Sequence, residues 1–181
     1  MKYLKLDLHT HPFEAMGFPS PSVDAVAKIV KQIKRMGLDG VAITEHEISL
    51  YGFKAAEIAK EYFPEVLIIP GVEIDVNGVG PITHRHVVEL YLEGRVFRFQ
   101  AHPYDERLEI LRDCQGIEIR NYLHKKMDKE LAEQLALNLN LIPLRNSDAH
   151  KLEDIGKYYN ILSIEMLYER AKRAPSHLNS I

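Results

Sequence analysis

The sequence predicts an α/β barrel of seven strands, because short apolar runs alternate with segments of helical period and each run ends in turn or polar residues. Strands that alternate with helices build a parallel sheet or a barrel. The runs expected to form strands are 3–8, 40–44, 66–72, 86–92, 96–101, 116–120 and 141–146. An eight-stranded barrel typically needs about 250 residues, so a chain of 181 residues favours seven strands with short connections.

Four helices are expected between or after these strands. In the first helix, Ser20 is the candidate cap, Pro21 suits the first helical position, and Gly37 ends the helix. The other helices are expected at about 51–62, 122–138 and 163–173. The third of the four carries an apolar stripe assigned to the core, formed by Leu123, Met127, Leu131 and Leu135.

Residues 1–181 are expected to form a single domain, because no internal repeat or flexible linker divides the chain. The longest apolar stretch, 66–72, is far too short to cross a bilayer, so no membrane partner is expected. The N-terminus lacks the pattern of a secretion signal, which predicts a cytoplasmic location. The net charge of −3 indicates no general attraction to nucleic acid. The chain has a single cysteine, Cys114, which cannot supply a multi-cysteine zinc site, so nitrogen and oxygen must hold any metal. Cys114 itself is expected to be buried.

Histidines and acids lie just past the ends of five predicted strands, where the active sites of barrel enzymes are built. They are His9, His11, His46, Glu73, His102, Asp148 and His150. Residues two apart in an extended chain point to the same side, so the His-x-His and Asp-x-His pairs can converge on one ion. Imidazole nitrogens and carboxylate oxygens suit Zn, Mn or Fe. The set therefore predicts a metal site at one end of the barrel.

Three further residues are weighed individually. Arg120 and Arg145 lie near strand ends, and a guanidinium matches a phosphate group, so both are candidate substrate residues. The alternative for each is an ion pair with a neighbouring acid. His124 falls in the expected third helix, away from any strand end, and is assigned to the surface.

Taken in order, these motifs resemble the PHP (polymerase and histidinol phosphatase) family of metal-dependent phosphoesterases. They read here as His9-Thr10-His11, Thr44-Glu45-His46, Gly71-Val72-Glu73, His86-Val87-Val88, His102-Pro103 and Asp148-Ala149-His150. The match covers nearly the whole chain. It implies a distorted (β/α)7 TIM-like barrel, the PHP fold, which holds two or three divalent ions (Zn, Mn or Fe) at the C-terminal ends of the strands.

The resemblance also implies which residues hold the first two ions. The first ligand set would be His9, His11, Glu73 and Asp148, and the second would be Glu73, His86 and His102. His84 competes with His86 for its place. Only His86 directly opens the apolar run 87–90, as the family pattern requires.

A third ion would take His46 and His150. Members of the family usually supply an aspartate or histidine a few residues after His11 to complete this set. Here Glu14 is the only acid between His11 and Asp24, and it is the candidate for the missing ligand. Pro12, Gly17 and Pro19 suggest a loop that could bend it inward.

The expected activity is hydrolysis of a phosphate ester by a metal-activated water, with a small phosphorylated substrate. Glu73 would bridge two ions, and a water molecule, His46 or His150 would supply the proton of the leaving group. The chain lacks the Gly-x-Ser-x-Gly elbow and the Walker phosphate loop, which disfavours covalent catalysis and nucleoside triphosphate hydrolysis. Two alternatives stay open: a metal-dependent nuclease that acts on nucleic-acid phosphodiesters, and a non-catalytic RNA-binding subunit with a PHP-like fold.

Overall fold

The computed structural model describes residues 1–77, 84–103, 111 and 113–174, apart from the side chains of Asn77 and His84. The strands in these residues are β1 (Leu4–Asp7), β2 (Gly40–Ile43), β3 (Leu67–Asn77), β4 (His84–Leu92), β5 (Arg95–Gln100), β6 (Gly116–Asn121), β7 (Ile142–Asn146), β8 (Asn160–Leu162) and β9 (Lys172–Arg173). The α-helices are α1 (Pro12–Ala15), α2 (Val23–Arg35), α3 (Leu50–Tyr62), α4 (Lys129–Asn138) and α5 (Ile164–Arg170). A 3-10 turn spans Leu152–Asp154.

The strands form one mixed sheet that curls into a nearly closed barrel, with the order β7-β6-β5-β4-β3-β2-β1-β8. The predicted α/β barrel is confirmed, and all seven predicted strands are present. Two short strands were not predicted: β8, which pairs with β1, and β9, which pairs with β5.

The sheet is not wholly parallel, because β4 runs antiparallel to both of its neighbours, β3 and β5. Only Glu93 and Gly94 separate β4 from β5, and both have positive φ angles, 25° and 78°. A two-residue turn of this kind joins antiparallel strands, since a parallel connection needs a crossover of a dozen or more residues. The antiparallel direction of β4 brings its first residues, rather than its last, to the edge where β3 ends.

Helix α2 begins later than predicted, because Ser22 rather than Ser20 is its cap. The Ser22 hydroxyl accepts a hydrogen bond from the backbone N–H of Ala25 at 3.2 Å. Pro21 therefore precedes the helix instead of opening it. A proline disfavours the helical conformation in the residue before it, and Ser20 lies outside the helix. The predicted end is confirmed: Gly37 follows the helix with φ +65°, the left-handed conformation that glycine adopts readily.

Helix α4 begins at Lys129 and not at 122, so the predicted third helix was too long at its start. The Asp128 carboxylate caps it by accepting a hydrogen bond from the backbone N–H of Leu131 at 3.0 Å. Residues 122–127 form a loop instead, in which Leu123 is half exposed rather than part of a core stripe. This loop follows β6 directly and carries His124 toward the end of the barrel.

Apolar side chains pack on both faces of the sheet. The interior cluster includes Leu6, Leu90, Phe97, Phe99 and Leu144, all fully buried. The outer cluster joins α2 and α3 to the sheet through Val26, Ile29, Ile33, Val41 and Ile43. A smaller cluster packs α4 on β6. Among the described residues, no helix is long and apolar enough to cross a membrane.

Cys114 is buried, as predicted, and burial raises the pKa of its thiol to about 11. The thiolate is the reactive form of cysteine, so at pH 8 the native protein should react with a disulfide reagent such as DTNB far more slowly than the urea-unfolded chain. The two rates are measured by release of the coloured thiolate. Equal rates in the two states would contradict the buried placement.

Candidate metal centre

The predicted ligand residues meet at one end of the barrel. His9 and His11 follow β1, His46 follows β2, and Glu73 lies within β3. Two isolated bridges extend the ladders at this edge, between Thr10 and Ala149 and between His46 and Glu73. His102 follows β5, and Asp148 and His150 follow β7. His86 reaches the same place from the beginning of β4, opposite Asp75 of β3.

Four of these residues, His9, His11, Glu73 and Asp148, form the first ligand group. The Glu73 Oε2 atom lies 3.3 Å from Nε2 of both His9 and His11. The Asp148 Oδ1 atom lies 3.5 Å and 3.2 Å from the same two nitrogens. A tetrahedral ion with ligands at about 2.0–2.1 Å requires ligand atoms roughly 3.3–3.4 Å apart. The group therefore has the dimensions of a tetrahedral metal site.

The same four atoms are buried and make no hydrogen bond. They are Nε2 of His9, Nε2 of His11, Oε2 of Glu73 and Oδ1 of Asp148. Buried polar atoms are nearly always satisfied in folded proteins, and each one left unsatisfied costs about 1–3 kcal/mol. Four of them that converge on one point indicate a ligand, and the two nitrogens and two carboxylate oxygens suit a divalent metal ion.

A second ligand group shares Glu73 with the first and adds His86 and His102. The Glu73 Oε1 atom lies 2.9 Å from Nδ1 of His86 and 3.0 Å from Nε2 of His102. One oxygen of Glu73 thus faces the first group and the other faces the second. His84, the alternative to His86, has its side chain outside the described residues.

A third group lies at the more exposed side of the centre and comprises His11, Glu14, His46 and His150, so it shares His11 with the first group. The Nε2 atoms of His46 and His150 are 3.3 Å apart, and each lies 3.8 Å from a carboxylate oxygen of Glu14. Glu14 lies on α1, a single helical turn, and not on the loop expected from the sequence.

Glu45 fixes α1, and therefore Glu14, in place. Its carboxylate accepts hydrogen bonds from the backbone N–H groups of Phe13 at 2.8 Å and Glu14 at 3.2 Å, at the start of the helix. A carboxylate is favourable there because the first N–H groups of a helix lack partners. Burial is the largest influence on Glu45 and raises the pKa of its carboxyl to about 7.

Glu118, which the sequence analysis did not single out, supports the first group from inside the barrel. It is fully buried, and its Oε1 atom lies 3.0 Å from Nδ1 of His9. Three further donors reach it: Asn146 Nδ2 and Asn121 Nδ2 at 2.8 and 2.9 Å, and the backbone N–H of His102 at 2.8 Å. A carboxylate that accepts the Nδ1 proton of a histidine leaves Nε2 free for a metal.

His124 also belongs to the centre, so its assignment to the surface was wrong. Its Nε2 lies 3.2 Å from Oδ2 of Asp148, and its ring is 4.2 Å from that of His102, centroid to centroid. Asn121 holds both partners: its Oδ1 accepts from the backbone N–H of His124 at 2.9 Å, and its Nδ2 donates to Asp148 Oδ2 at 3.1 Å. These contacts hold Oδ2 of Asp148, so its Oδ1 atom is directed at His9 and His11 of the first group.

Asp7 anchors the segment that carries Asp148. Its carboxylate accepts hydrogen bonds from the backbone N–H groups of Ser147 at 3.1 Å and Gly156 at 2.9 Å, and from the Ser147 hydroxyl. Burial raises the pKa of Asp7 to about 6, although these donors oppose the shift. The contacts fix the chain that leaves β7 against β1, which supplies His9 and His11.

The two acids of the first group are held in their charged form. Burial alone would raise the pKa of Glu73, but the neighbouring histidines, His9 foremost, outweigh it and keep this pKa well below its ordinary range. The pKa of Asp148 is lowered in the same way, with burial opposed chiefly by His9 and His11. Burial alone would lower the pKa values of His9 and His11, but these two carboxylates raise them in turn, so a cation that binds here would displace protons from the histidines and not from the acids.

Arg120 and Arg145, the candidate substrate residues, are not brought into the centre. They are partners across the β6–β7 ladder and line a cavity on the outside of the barrel. The alternative of an ion pair is not seen either, since no described acid pairs with either guanidinium.

Parts of this chain resemble known sequences. Residues 126–170 match the family model described as PHP-associated. The uncharacterized protein MJ1587 of Methanocaldococcus jannaschii is 26% identical over 158 residues, which cover 75% of this chain and 90% of that protein.

Solved structures share the fold at low sequence identity. A proposed metal-dependent phosphoesterase from Bifidobacterium adolescentis is 14% identical with a TM-score of 0.64, over 91% of this chain and 96% of that one. An amidohydrolase from Chromobacterium violaceum is 16% identical with a TM-score of 0.62, over 96% and 99%. PsfC from Pseudomonas syringae is 18% identical with a TM-score of 0.60, over 86% and 80%. The chain thus has a metal-dependent phosphoesterase-like fold, and one segment of it matches the PHP-associated family model.

Proposed function

We propose that this protein hydrolyses phosphate esters with the help of bound divalent metal ions. The observation that carries the proposal is the division of Glu73 between two ligand groups, with Oε2 toward His9 and His11 and Oε1 toward His86 and His102. A carboxylate placed in this way is suited to hold two ions side by side, the arrangement that phosphoryl-transfer sites use.

In this proposal the chain supplies the ligands and fixes their orientation. His9, His11, Glu73 and Asp148 would hold one ion, and Glu73, His86 and His102 would hold another. When bound, such ions orient the phosphoryl group, lower the pKa of water toward about 7 and stabilise negative charge on oxygen. Glu118 orients His9, while Asn121 and His124 orient Asp148, so the ligand atoms are placed before any substrate arrives.

His46 and His150 have two possible roles that exclude each other. Both side chains are partly exposed, at 43% and 30%, and so lie where a leaving group could reach them. Burial, followed by the charge of His11, lowers the pKa of His46. If either ring nitrogen donates a proton to the leaving oxygen, it cannot bind a third ion with Glu14 at the same moment. The number of ions bound per chain therefore distinguishes the two roles of His46 and His150.

The proposal is tested by a screen of substrates on the full chain reconstituted with Mn or Zn. Phosphate monoesters, phosphodiesters, short oligonucleotides and simple amides are offered in parallel. We expect release of inorganic phosphate from at least one monoester, and loss of that activity on chelation with recovery on metal addition. Cleavage of oligonucleotides alone would favour the nuclease, and cleavage of amides alone would overturn the proposal.

The non-catalytic alternative is addressed by the metal content itself. We expect the purified protein to carry at least one transition-metal ion per chain, measured by mass spectrometry of the digested protein. An RNA-binding subunit without catalytic function does not require a filled set of ligand positions. Binding of RNA without bound metal and without hydrolysis of any ester would contradict our proposal.

Replacement of Glu14 tests the third ligand group. We expect Glu14→Ala to lower the bound metal by about one equivalent at saturating metal, since it removes the only carboxylate of that group. Glu61→Ala, which removes an exposed carboxylate from α3, is the matched control and should bind as much metal as the wild type. An unchanged metal content in Glu14→Ala would show that Glu14 is not a ligand and would leave His46 and His150 free for proton transfer.

A further inference from the structure

A cavity of about 630 Å³ lies on the outside of the barrel, at the seam between β7 and β8. Cavities of roughly 300–1,000 Å³ are typical of small-molecule sites. The polar side chains that line it include Arg120, Arg145, Lys157, Tyr158 and Tyr159, and none of the described lining residues is acidic. Three positive groups thus share one cavity in a chain whose net charge is −3.

The two arginines lie side by side, and no acid among the described residues neutralises their positive charges. Arg120 and Arg145 are direct partners in the parallel ladder of β6 and β7, and like charges side by side in a sheet are destabilising. Within the described part of the chain, neither guanidinium takes part in an ion pair. The Nε atom of Arg120 is moreover buried without a hydrogen-bond partner, a state that costs free energy unless a ligand supplies an acceptor.

This cavity is separate from the metal centre. Asn121 and Asn146, the residues that follow the two arginines, point inward and donate to Glu118. Successive side chains of a strand point to opposite faces, so Arg145 lies on the outer face. Ile119, which also lines the cavity, packs with α4 outside the barrel.

We propose that this cavity is a second anion site, which binds a phosphate monoester with an aromatic or apolar body. A dianionic phosphate matches two guanidinium groups and an ammonium group, and Arg forms paired hydrogen bonds with phosphate oxygens. Tyr158 and Tyr159, with the apolar residues Ile142, Ile161 and Met166, offer a surface for an attached ring. The site does not depend on the chemistry at the metal centre.

The experiment measures binding of phenylphosphonate, an aryl phosphate analogue that cannot be hydrolysed at an ester bond, by calorimetry on the full chain. It is run with metal present and again after chelation, which removes any binding at the metal centre. We expect saturable binding that survives chelation and is weakened about tenfold in Arg120→Gln and in Arg145→Gln, because each loses a charge-assisted hydrogen-bond donor. Methylphosphonate, which lacks the ring, should bind more weakly than phenylphosphonate.

Lys31→Gln, on the exposed face of α2, is the matched control for removal of one positive charge and should bind as the wild type does. If Arg120→Gln fails to fold, Arg145→Gln decides the matter, since Arg145 is exposed. A nucleoside monophosphate should displace the probe, and an oligothymidine without a terminal phosphate should not. No binding after chelation, equal weakening by Lys31→Gln, or displacement by the oligothymidine would each overturn the proposal.

Discussion

Replacement of Glu73 with glutamine is expected to lower kcat by about a hundredfold to a thousandfold. Metal ions supply several kcal/mol of charge stabilisation in such reactions, and each 1.36 kcal/mol is about tenfold in rate. The amide keeps the size of the side chain but loses its negative charge and one of its two acceptor oxygens. Either the first or the second ligand group would then face an NH₂ group, which cannot bind a cation.

The measurement compares kcat and thermal unfolding of Glu73→Gln with those of the wild type, both saturated with metal. Glu47→Gln is the matched control, because Glu47 also lies near the centre. Among the described residues, its Oε1 atom accepts a hydrogen bond only from the backbone N–H of Asp75, at 2.7 Å. We expect the control to keep its activity within a fewfold. A near wild-type kcat in Glu73→Gln would rule out the shared carboxylate as the core of the site.

Most residues of the three ligand groups could be predicted because their signal is local, whereas His86 and Glu14 were predicted from the resemblance to a family. His9 and His11 need only the alternation of an extended chain to face one ion. Asp148 and His150 also lie two residues apart, but they enter different ligand groups, and Asp148 has a positive φ of 53°. Their position past apolar runs indicates the end of the barrel at which they meet. Distances could not be predicted, because they depend on how β1, β3 and β7 pack together. The structure brings the first ligand group within 3.2–3.5 Å for the pairs measured.

The residues that orient the ligands, Glu118 and His124, could not be predicted, because their signal is not local. Glu118 lies between Ile117 and Ile119, a pattern that equally describes a strand with one polar face toward solvent. Its partners His9 and Asn146 lie 109 and 28 residues away, so no local pattern identifies them. His124 was assigned to a helix because apolar residues recur at helical spacing from Leu123 into α4. In the structure the helix begins only after its cap at Asp128, and the backbone of His124 is hydrogen-bonded to Asn121 instead.

The direction of β4 is a further case in which local pattern and tertiary structure differ. The rule that active-site residues follow strands fits β1, β2, β5 and β7, but His86 stands near the beginning of its strand. An antiparallel strand presents its beginning to the edge where its parallel neighbours end. The turn at Glu93-Gly94, with two positive φ angles, then reverses the chain again between β4 and β5.

Glu118→Gln is expected to weaken metal binding by about 10–100-fold, the range typical of residues that orient metal ligands. Glu118 accepts from four donors, two at each oxygen. Glutamine offers one oxygen and one NH₂ group, so one pair of donors would face another donor. If the NH₂ group takes the place of Oε1, it opposes Asn146 and Nδ1 of His9, and the ring of His9 loses the acceptor that fixes its orientation. Loss of satisfied partners at a buried site should also lower the free energy of unfolding by about 1–3 kcal/mol.

The two effects are separated by measuring them on different forms of the protein. Metal affinity is determined by competition with a chelator of known affinity, and stability by urea unfolding of the metal-free chain. Glu133→Gln, on the exposed side of α4, is the matched control and should change neither quantity. A loss of stability without a loss of metal affinity would mean that Glu118 only fills the interior of the barrel. A loss of both, with Glu133→Gln unchanged, would mean that the buried network of β6 and β7 determines where the nitrogen of His9 points, and therefore whether the first ligand group can close around an ion.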